Sequence, residues 1–407
     1  MHQRPSIPES IPGDELVEFA ALVGSASAGD SQFATQFVGR LLRLAGNAGA
    51  SDVHLDPTPD AVELRWRLDG VLHALGRLPR EVGPNVVARL KVLAGLLTYE
   101  LALPQEGRIR DERLRVEARV STFPTLHGER AVVRMLGDGD GSLESLSELG
   151  LPADVLEQIE RHLSATSGAV LVAGPAGSGK TTTAYACLRH VVSASGGGRS
   201  IASLEDPVEV AVEGVAQSQV HASAGFDMAT GLRSLLRLDP EVILIGEMRD
   251  QATAQIALQA ALTGQLVVTT FHAGHATDAV NRLIEMGIAA YAVRNAVRLV
   301  VAQRLVRRLC QCAQPADVDA HARVVGLAVS RCWLPGECDA CRGTGYRGRS
   351  LVAECRAVAG WDFESAARDH AKGQPPAAEQ LWSSAEALVE SGVTSPLEVV
   401  RVLGFRV

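Results

Sequence analysis

The chain has 407 residues with 39 Lys+Arg against 47 Asp+Glu, a formal net charge of −8, and that acidic balance argues against non-specific nucleic-acid binding. With 46% hydrophobic and 21% charged residues, it has apolar material for roughly two to three domains and lacks the composition of a disordered chain. The first thirty residues hold neither a signal peptide nor an apolar run near the roughly 20 residues of a membrane span, which makes a cytosolic protein the expectation.

Residues 1–30 read as an N-terminal tail. Over 31–136 helical and strand patterns alternate. Gln36 to Ala45 carries Phe37, Leu41, Leu42 and Leu44 at helical spacing, whereas Asp52 to His54, Val62 to Leu68, Leu114 to Val120 and Ala131 to Leu136 alternate apolar and polar residues like half-buried strands. Asp69-Gly70 supplies a hairpin turn, and Phe123 to Gly128 a second turn. The whole reads as a small α+β lobe. Gly137-Asp138-Gly139-Asp140-Gly141 opens a linker over 137–149, a natural hinge.

From 150 to 407, short apolar runs alternate with helical stretches. Ala169 to Ala173, Ser200 to Leu204, Val242 to Ile245 and Leu266 to Thr270 read as parallel strands joined by crossover helices, an α/β domain. Arg304, Arg307 and Arg308 stand at i, i+3 and i+4, which predicts one face of a helix. Residues 357–407 read as C-terminal helices, with Thr394 or Ser395 as an N-cap and Pro396 in the first turn.

The chemistry gathers in this second domain. The strand ending at Ala173 runs into Gly174-Pro175-Ala176-Gly177-Ser178-Gly179-Lys180-Thr181, followed at once by the helical stretch Thr182 to Val192. This is the phosphate-binding pattern G-x4-G-K-T in its strand-to-helix setting. Backbone N–H groups around Gly174, Gly177, Ser178, Gly179 and Thr182 would face the phosphates of ATP, Lys180 would reach the β and γ phosphates, and Thr181 would ligate Mg²⁺. Leu204-Glu205-Asp206-Pro207-Val208-Glu209 places carboxylates after a strand. Asp239 to Asp250 holds an apolar strand ending in Gly246-Glu247, and Gly264 to His272 is a strand delivering a histidine.

These four segments, in this order, resemble the ATPases of the type II secretion and type IV pilus assembly superfamily: the Walker A loop, an aspartate box, an atypical Walker B Gly-Glu pair and a histidine box. Ala50 to Leu55, Arg67 to Val71, Leu103 to Ile109 and Arg119 to Thr122 resemble that family's N-terminal ATPase lobe, and Ala302 to Cys310 with Cys341 to Arg349 resemble the region flanking its zinc subdomain. The resemblance implies a PAS-like α+β lobe followed by a RecA-like P-loop lobe that includes a cysteine-rich subdomain over 309–345. It also implies roles. Glu247 would align Mg²⁺ and the lytic water, Glu205 would act as general base, His272 would sense the γ-phosphate or brace the carboxylate, and Arg108 and Arg119, with Arg134 as a further candidate, would meet the phosphoryl charge. Arg233 and Arg237 suit a subunit interface as well as the nucleotide. Gly246 stands where P-loop enzymes in general carry an aspartate, which leaves the role to Glu247. The family usually has a histidine at Gln265 and Asn-Asp at Gly274-His275, so this chain departs from the family pattern at those positions.

Seven cysteines are present, four of them late. Cys338 and Cys341 have the two-residue gap of a zinc knuckle, whereas Cys310 and Cys312 are only one residue apart and require a local bend to share an ion. Cys332 is a possible substitute ligand, and Cys187 and Cys355 read as small core residues. The resulting expectation is a Mg²⁺-dependent hexameric ATPase with structural Zn²⁺, held at the inner membrane by platform proteins and driving pseudopilus assembly and export. Type IV pilus extension is the nearest alternative, and a non-hydrolysing nucleotide-binding scaffold is the alternative from another class. Because only residues 1–30 precede the first lobe, the usual N-terminal docking domain is expected to be missing.

Overall fold

The computed structural model describes residues 13–27, 32–114, 116–136, 145–359 and 379–406. Contacts divide the chain into two units: residues 1–141 with 309–314 and 335–348, and residues 142–308 with 315–334 and 349–407. Part of the expected linker, 137–144, and residues 360–378 lie outside the described residues, as do 1–12 and 28–30 of the expected tail and residue 31. Within that tail, Gly13–Gly24 form helix α1, and Phe19 is buried against Phe37 with ring centroids 5.3 Å apart.

The first unit is a six-stranded sheet in the order β3-β2-β1-β6-β5-β4. Its strands are β1 (Asp52–Pro57), β2 (Ala61–Leu68), β3 (Val71–Pro79), β4 (Gln105–Asp111), β5 (Val116–Thr125) and β6 (Gly128–Leu136). Helices α2 (Phe33–Ala48) and α3 (Gly83–Leu93) add their apolar sides to α1. Strand alternation sets the layers. Val62, Leu64 and Trp66 of β2 enter the core with Phe37, Leu41 and Leu42, while Glu63, Arg65 and Arg67 point to the other face. Asp69 and Gly70 both take positive φ, 46° and 83°, the requirement of a tight two-residue hairpin turn.

The second unit has a seven-stranded sheet. It contains β7 (Gly168–Ala173), β8 (Ile201–Glu205), β9 (Ala216–Gln219), β10 (Val242–Ile245), β11 (Leu266–Phe271), β12 (Val297–Leu309) and β15 (Tyr346–Ala357), in the order β15-β12-β7-β11-β10-β8-β9. From β12 to β9 every neighbouring pair is parallel. Every residue of β7, β10 and β11 is buried, as a parallel sheet covered on both faces demands. Ala169, Leu171 and Ala173 join the core on one face, and Val170 joins the other. Helices α4 (Ala153–Leu163), α5 (Lys180–Ser195), α6 (Met228–Leu235), α7 (Gln251–Thr263), α8 (Ala276–Glu285) and α9 (Ala290–Ala296) belong to this unit.

One expectation fails here. Arg304, Arg307 and Arg308 lie on β12, so Arg304 and Arg308 share a face and Arg307 points the other way. The charge spacing suits a helix, but Val297, Val300, Val301 and Val306 favour a strand, and β12 is held between β7, which it pairs with over Val297–Ala302, and β15. Short strands β13 (Gln314–Ala316) and β14 (Cys332–Leu334), the turn α10 (Val318–His321), α11 (Glu379–Glu390) and α12 (Pro396–Leu403) complete the chain. Ser395 is the N-cap of α12, its hydroxyl accepting from the Glu398 N–H at 3.2 Å. Among the described residues no helix is long and apolar enough to cross a membrane.

Candidate active site

Because β7, β11, β10 and β8 are parallel neighbours, whatever follows their C-termini emerges along one edge. That edge collects the loop Gly174–Thr181, His272, Gly246-Glu247 and Glu205, at the place where open parallel sheets bind ligands. Cross-links hold it together. The Gly174 N–H donates to the Phe271 carbonyl (3.2 Å), the Gly246 N–H to the Leu204 carbonyl (2.9 Å), and Thr270 Oγ1 to the Gly246 carbonyl (2.6 Å).

The loop's glycines are required by geometry. Gly177 and Gly179 take φ of 73° and 84°, the left-handed region that glycine enters without strain. At Gly174 a Cβ would lie 2.3 Å from Ser178 Oγ and 2.7 Å from the Gln303 carbonyl oxygen. Helix α5 starts at Lys180, so its free N–H groups and positive dipole end face the loop. Lys180 Nζ donates to the Pro175 carbonyl at 2.9 Å. Burial lowers the lysine's pKa, and the nearby Glu247 carboxylate opposes that shift.

Gln303 had no role from sequence. It is wholly buried on β12, donates from Nε2 to the Ser178 carbonyl (2.8 Å) and accepts from Thr183 Oγ1 (3.0 Å), so it clamps the phosphate loop to the first turn of α5. The available signal was a lone amide directly after the apolar run Leu299 to Ala302.

Glu247 and His272 are brought together: Nε2 of the histidine lies 2.8 Å from Oε1 of the carboxylate, whose Oε2 accepts from Arg249 Nε at 2.6 Å. Gly246 lies where space is short, since a Cβ there would stand 3.2 Å from Glu205 Cα. Glu205 is buried, and its Oε1 accepts from Ser203 Oγ (2.5 Å) and Gln217 Nε2 (3.0 Å), while Oε2 accepts from the Tyr185 hydroxyl. Gln265 is engaged by Thr263 Oγ1 at 3.1 Å, and His275 caps α8. Arg233 and Arg237 are exposed and linked to each other, Arg237 Nη1 donating to the Arg233 carbonyl at 3.3 Å.

In the first unit the strand register places Arg67, Asp52, Arg134, Arg119 and Arg108 directly opposite one another in a single row across β2, β1, β6, β5 and β4. Opposed residues share a face, so four guanidinium groups line up there and would repel without neutralisation. Each has a carboxylate. Arg108 pairs with Glu117 at 2.9 Å and Arg119 with Glu106 at 2.5 Å, and Asp52 serves both Arg134 at 3.0 Å and Arg67 at 3.4 Å. The hydrogen bond from Arg119 holds the Glu106 carboxyl below its usual range.

Cys310, Cys312, Cys338 and Cys341 form a cluster able to hold a metal ion, all four sulfurs lying within 4.8 Å of one another. A turn closed by the Ala313 N–H on the Cys310 carbonyl (3.0 Å) supplies the bend that the one-residue gap needs. Cys332, the possible substitute, stands outside this group of four. It lies in a separate apolar cluster, its thiol directed at the Ala316 carbonyl 3.6 Å away, because β14 pairs it there. By contacts the four cysteines group with the first unit: Arg342 Nη1 donates to the carbonyl of Ala48 at the end of α2 (2.7 Å), and the Gly348 N–H to Asp69 Oδ2 (2.9 Å). Cys187 is fully buried, its thiol pushed up to about 12 by desolvation, and Cys355 is half-buried.

Residues 27–401 match the family described as type II/IV secretion system protein. This chain belongs to that family. Type II secretion system protein E of Klebsiella pneumoniae is 40% identical over 324 residues, covering 78% of this chain and 64% of the relative. The type IV pilus assembly ATPase PilB of Thermus thermophilus is 37% identical over 338 residues, 81% of this chain and 38% of its own length. This secretion-family chain thus spans less than two thirds of either relative. Among solved structures, the ATPase DotB of Legionella pneumophila shares the fold, with a TM-score of 0.59 at 20% identity, covering 89% of this chain and 94% of DotB.

Proposed function

We propose that this chain is a Mg²⁺-dependent ATP hydrolase that powers pseudopilus assembly and protein export in a type II secretion system, working as a homo-hexamer on the cytoplasmic side of inner-membrane platform proteins. The supporting observation is the single sheet edge that gathers the Lys180 loop, the Glu247–His272 pair and Glu205. Lys180 exchanges the Pro175 carbonyl for the β and γ phosphates of ATP, and the N–H groups from Gly177 to Thr182 cradle them. The Thr181 hydroxyl and the Glu247 carboxylate are hard oxygen donors suited to Mg²⁺, which supplies neutralisation of phosphate charge. His272 keeps Glu247 oriented. A carboxylate offers about four acceptor positions; Tyr185, Ser203 and Gln217 take three at Glu205, and the fourth, on Oε2, is assigned to the proton of the attacking water. Arg108 and Arg119 stabilise the charge on the transferring phosphoryl group.

For the cysteine cluster we propose zinc. Tetrahedral Zn–S bonds of about 2.3 Å place sulfurs ~3.8 Å apart, and three Sγ···Sγ separations are 3.7, 3.7 and 3.6 Å.

Steady-state hydrolysis by the purified protein tests the reading. Lys180→Ala and Glu247→Gln should each lower kcat/KM by at least about a hundredfold; turnover unchanged in both sinks it, and no turnover in the parent leaves a nucleotide-binding scaffold. The PilB relative favours type IV pilus assembly as the second reading. Complementation of secretion-deficient and pilus-deficient strains separates the two clients.

A further inference from the structure

Helix α5 carries Lys180 and Thr181 in its first turn and, five residues on, a tyrosine that no motif accounts for. Tyr185 is 3% exposed, and its ring packs in the core between α5 and the sheet. A phenylalanine would fill the same volume. A buried hydroxyl is costly unless paired, and this one is paired twice, donating to Glu205 Oε2 and accepting from the Glu209 N–H at 3.2 Å.

The two bonds reach both ends of the carboxylate-bearing segment after β8. Gln217 on β9 closes the same segment from the other side. Its Nε2 donates to Glu205 Oε1 (3.0 Å) and to the Val210 carbonyl (3.1 Å), and its Oε1 accepts from the Val212 N–H (2.6 Å). Residues 205–212 are therefore registered against two fixed bodies, and only Tyr185 belongs to the helix that carries the phosphate-binding residues. Tyr185 sits about 7.5 Å along the helix axis from Lys180 at 1.5 Å per residue. Such a strut makes the position of the phosphates and that of the carboxylate depend on one rigid element.

We propose that Tyr185 is a positioning residue: its hydroxyl orients the Glu205 carboxylate relative to the phosphate loop, leaving one oxygen position directed at the attacking water. This rests on the ATP-hydrolase reading above. The phenol suits the task, since burial and the adjacent Glu205 raise its pKa and keep it a donor.

Tyr185→Phe removes the hydroxyl and keeps the ring. Its expected signature is a kcat lowered about tenfold with KM for ATP, and binding of a fluorescent ATP analogue, changed by less than about twofold. In a Glu205→Gln background the same substitution should cost nothing further, because its effect runs through that carboxylate. A Tyr185→Phe enzyme with parental kcat, or one whose loss is undiminished in Glu205→Gln, overturns the proposal. If the variant does not fold, 3-fluorotyrosine at position 185 tests the same bond with an isosteric, more acidic phenol; a changed kcat at constant KM supports the assignment, and an unchanged kcat rejects it. A parent protein with no more turnover than Lys180→Ala overturns the hydrolase reading and this proposal together, whereas an active parent with an indifferent Tyr185 overturns the latter alone.

Discussion

The side chain of Gln303 offers the sharpest test of how the phosphate loop is held. Gln303→Leu keeps the volume and removes the donor to the Ser178 carbonyl (2.8 Å) and the acceptor for Thr183 Oγ1 (3.0 Å). Both partners sit where water has little access: Thr183 and Gln303 are wholly buried and Ser178 is 3% exposed. A buried polar group left unpaired costs about 1–3 kcal/mol, so two predict a loss of about 2–6 kcal/mol, falling to about 1–3 kcal/mol if the Thr183 hydroxyl turns to a carbonyl of its own helix. If about 1.4 kcal/mol of that falls on the loop conformation rather than on global stability, nucleotide affinity drops about tenfold. Thermal unfolding measures the first part and titration with a fluorescent ATP analogue the second. Thr183→Val alone should reproduce only the smaller share, and the two substitutions should be non-additive because they break one shared bond. A Gln303→Leu protein with parental melting temperature and parental nucleotide affinity would refute the reasoning.

Three other outcomes are expected. Gly246→Asp, which introduces the aspartate common to P-loop enzymes in general, should destabilise by about 1–3 kcal/mol and lower turnover, because its Cβ meets Glu205 Cα at 3.2 Å; an equally stable, active variant contradicts the packing argument. Cys341→Ser should release zinc measured by mass spectrometry, while Cys332→Ser should retain it, and equal zinc in the two variants would exclude the assigned ligand set. Glu398, 1% exposed, is pushed up by burial, but hydrogen bonds from Arg401 and Arg307 outweigh this and hold its carboxyl below the ordinary 4.5. A folded pKa below the unfolded one stabilises above about pH 4.5 and loses that contribution as pH falls through the folded value. Glu398→Gln should therefore unfold at lower temperature near neutrality and show a flatter melting temperature below pH 4.5; a parental acid profile in the variant rules this out.

Several features follow from short-range chemistry and so were legible in the amino-acid order. Alternating Val62, Leu64 and Trp66 define a strand, Asp69-Gly70 a two-residue turn, and Gly174 to Thr181 a strand-to-helix phosphate loop, because backbone dihedrals and side-chain periodicity act over a few residues. What the sequence order could not express is which distant elements become neighbours. The helical spacing of Arg304, Arg307 and Arg308 yields to a strand because they continue β12, which pairs with β7 over Val297–Ala302 and has β15 as its other neighbour. Tyr185 and Gln303 look like ordinary core positions until folding places them against Glu205 and Ser178, 20 and 125 residues away. The row from Arg67 to Arg108 exists only in the register of five strands, and the bend that closes the Cys310–Cys312 gap only in the turn after β12. Local sequence sets conformation, whereas charge compensation, hydrogen-bond satisfaction and sulfur geometry depend on distances that tertiary packing alone decides.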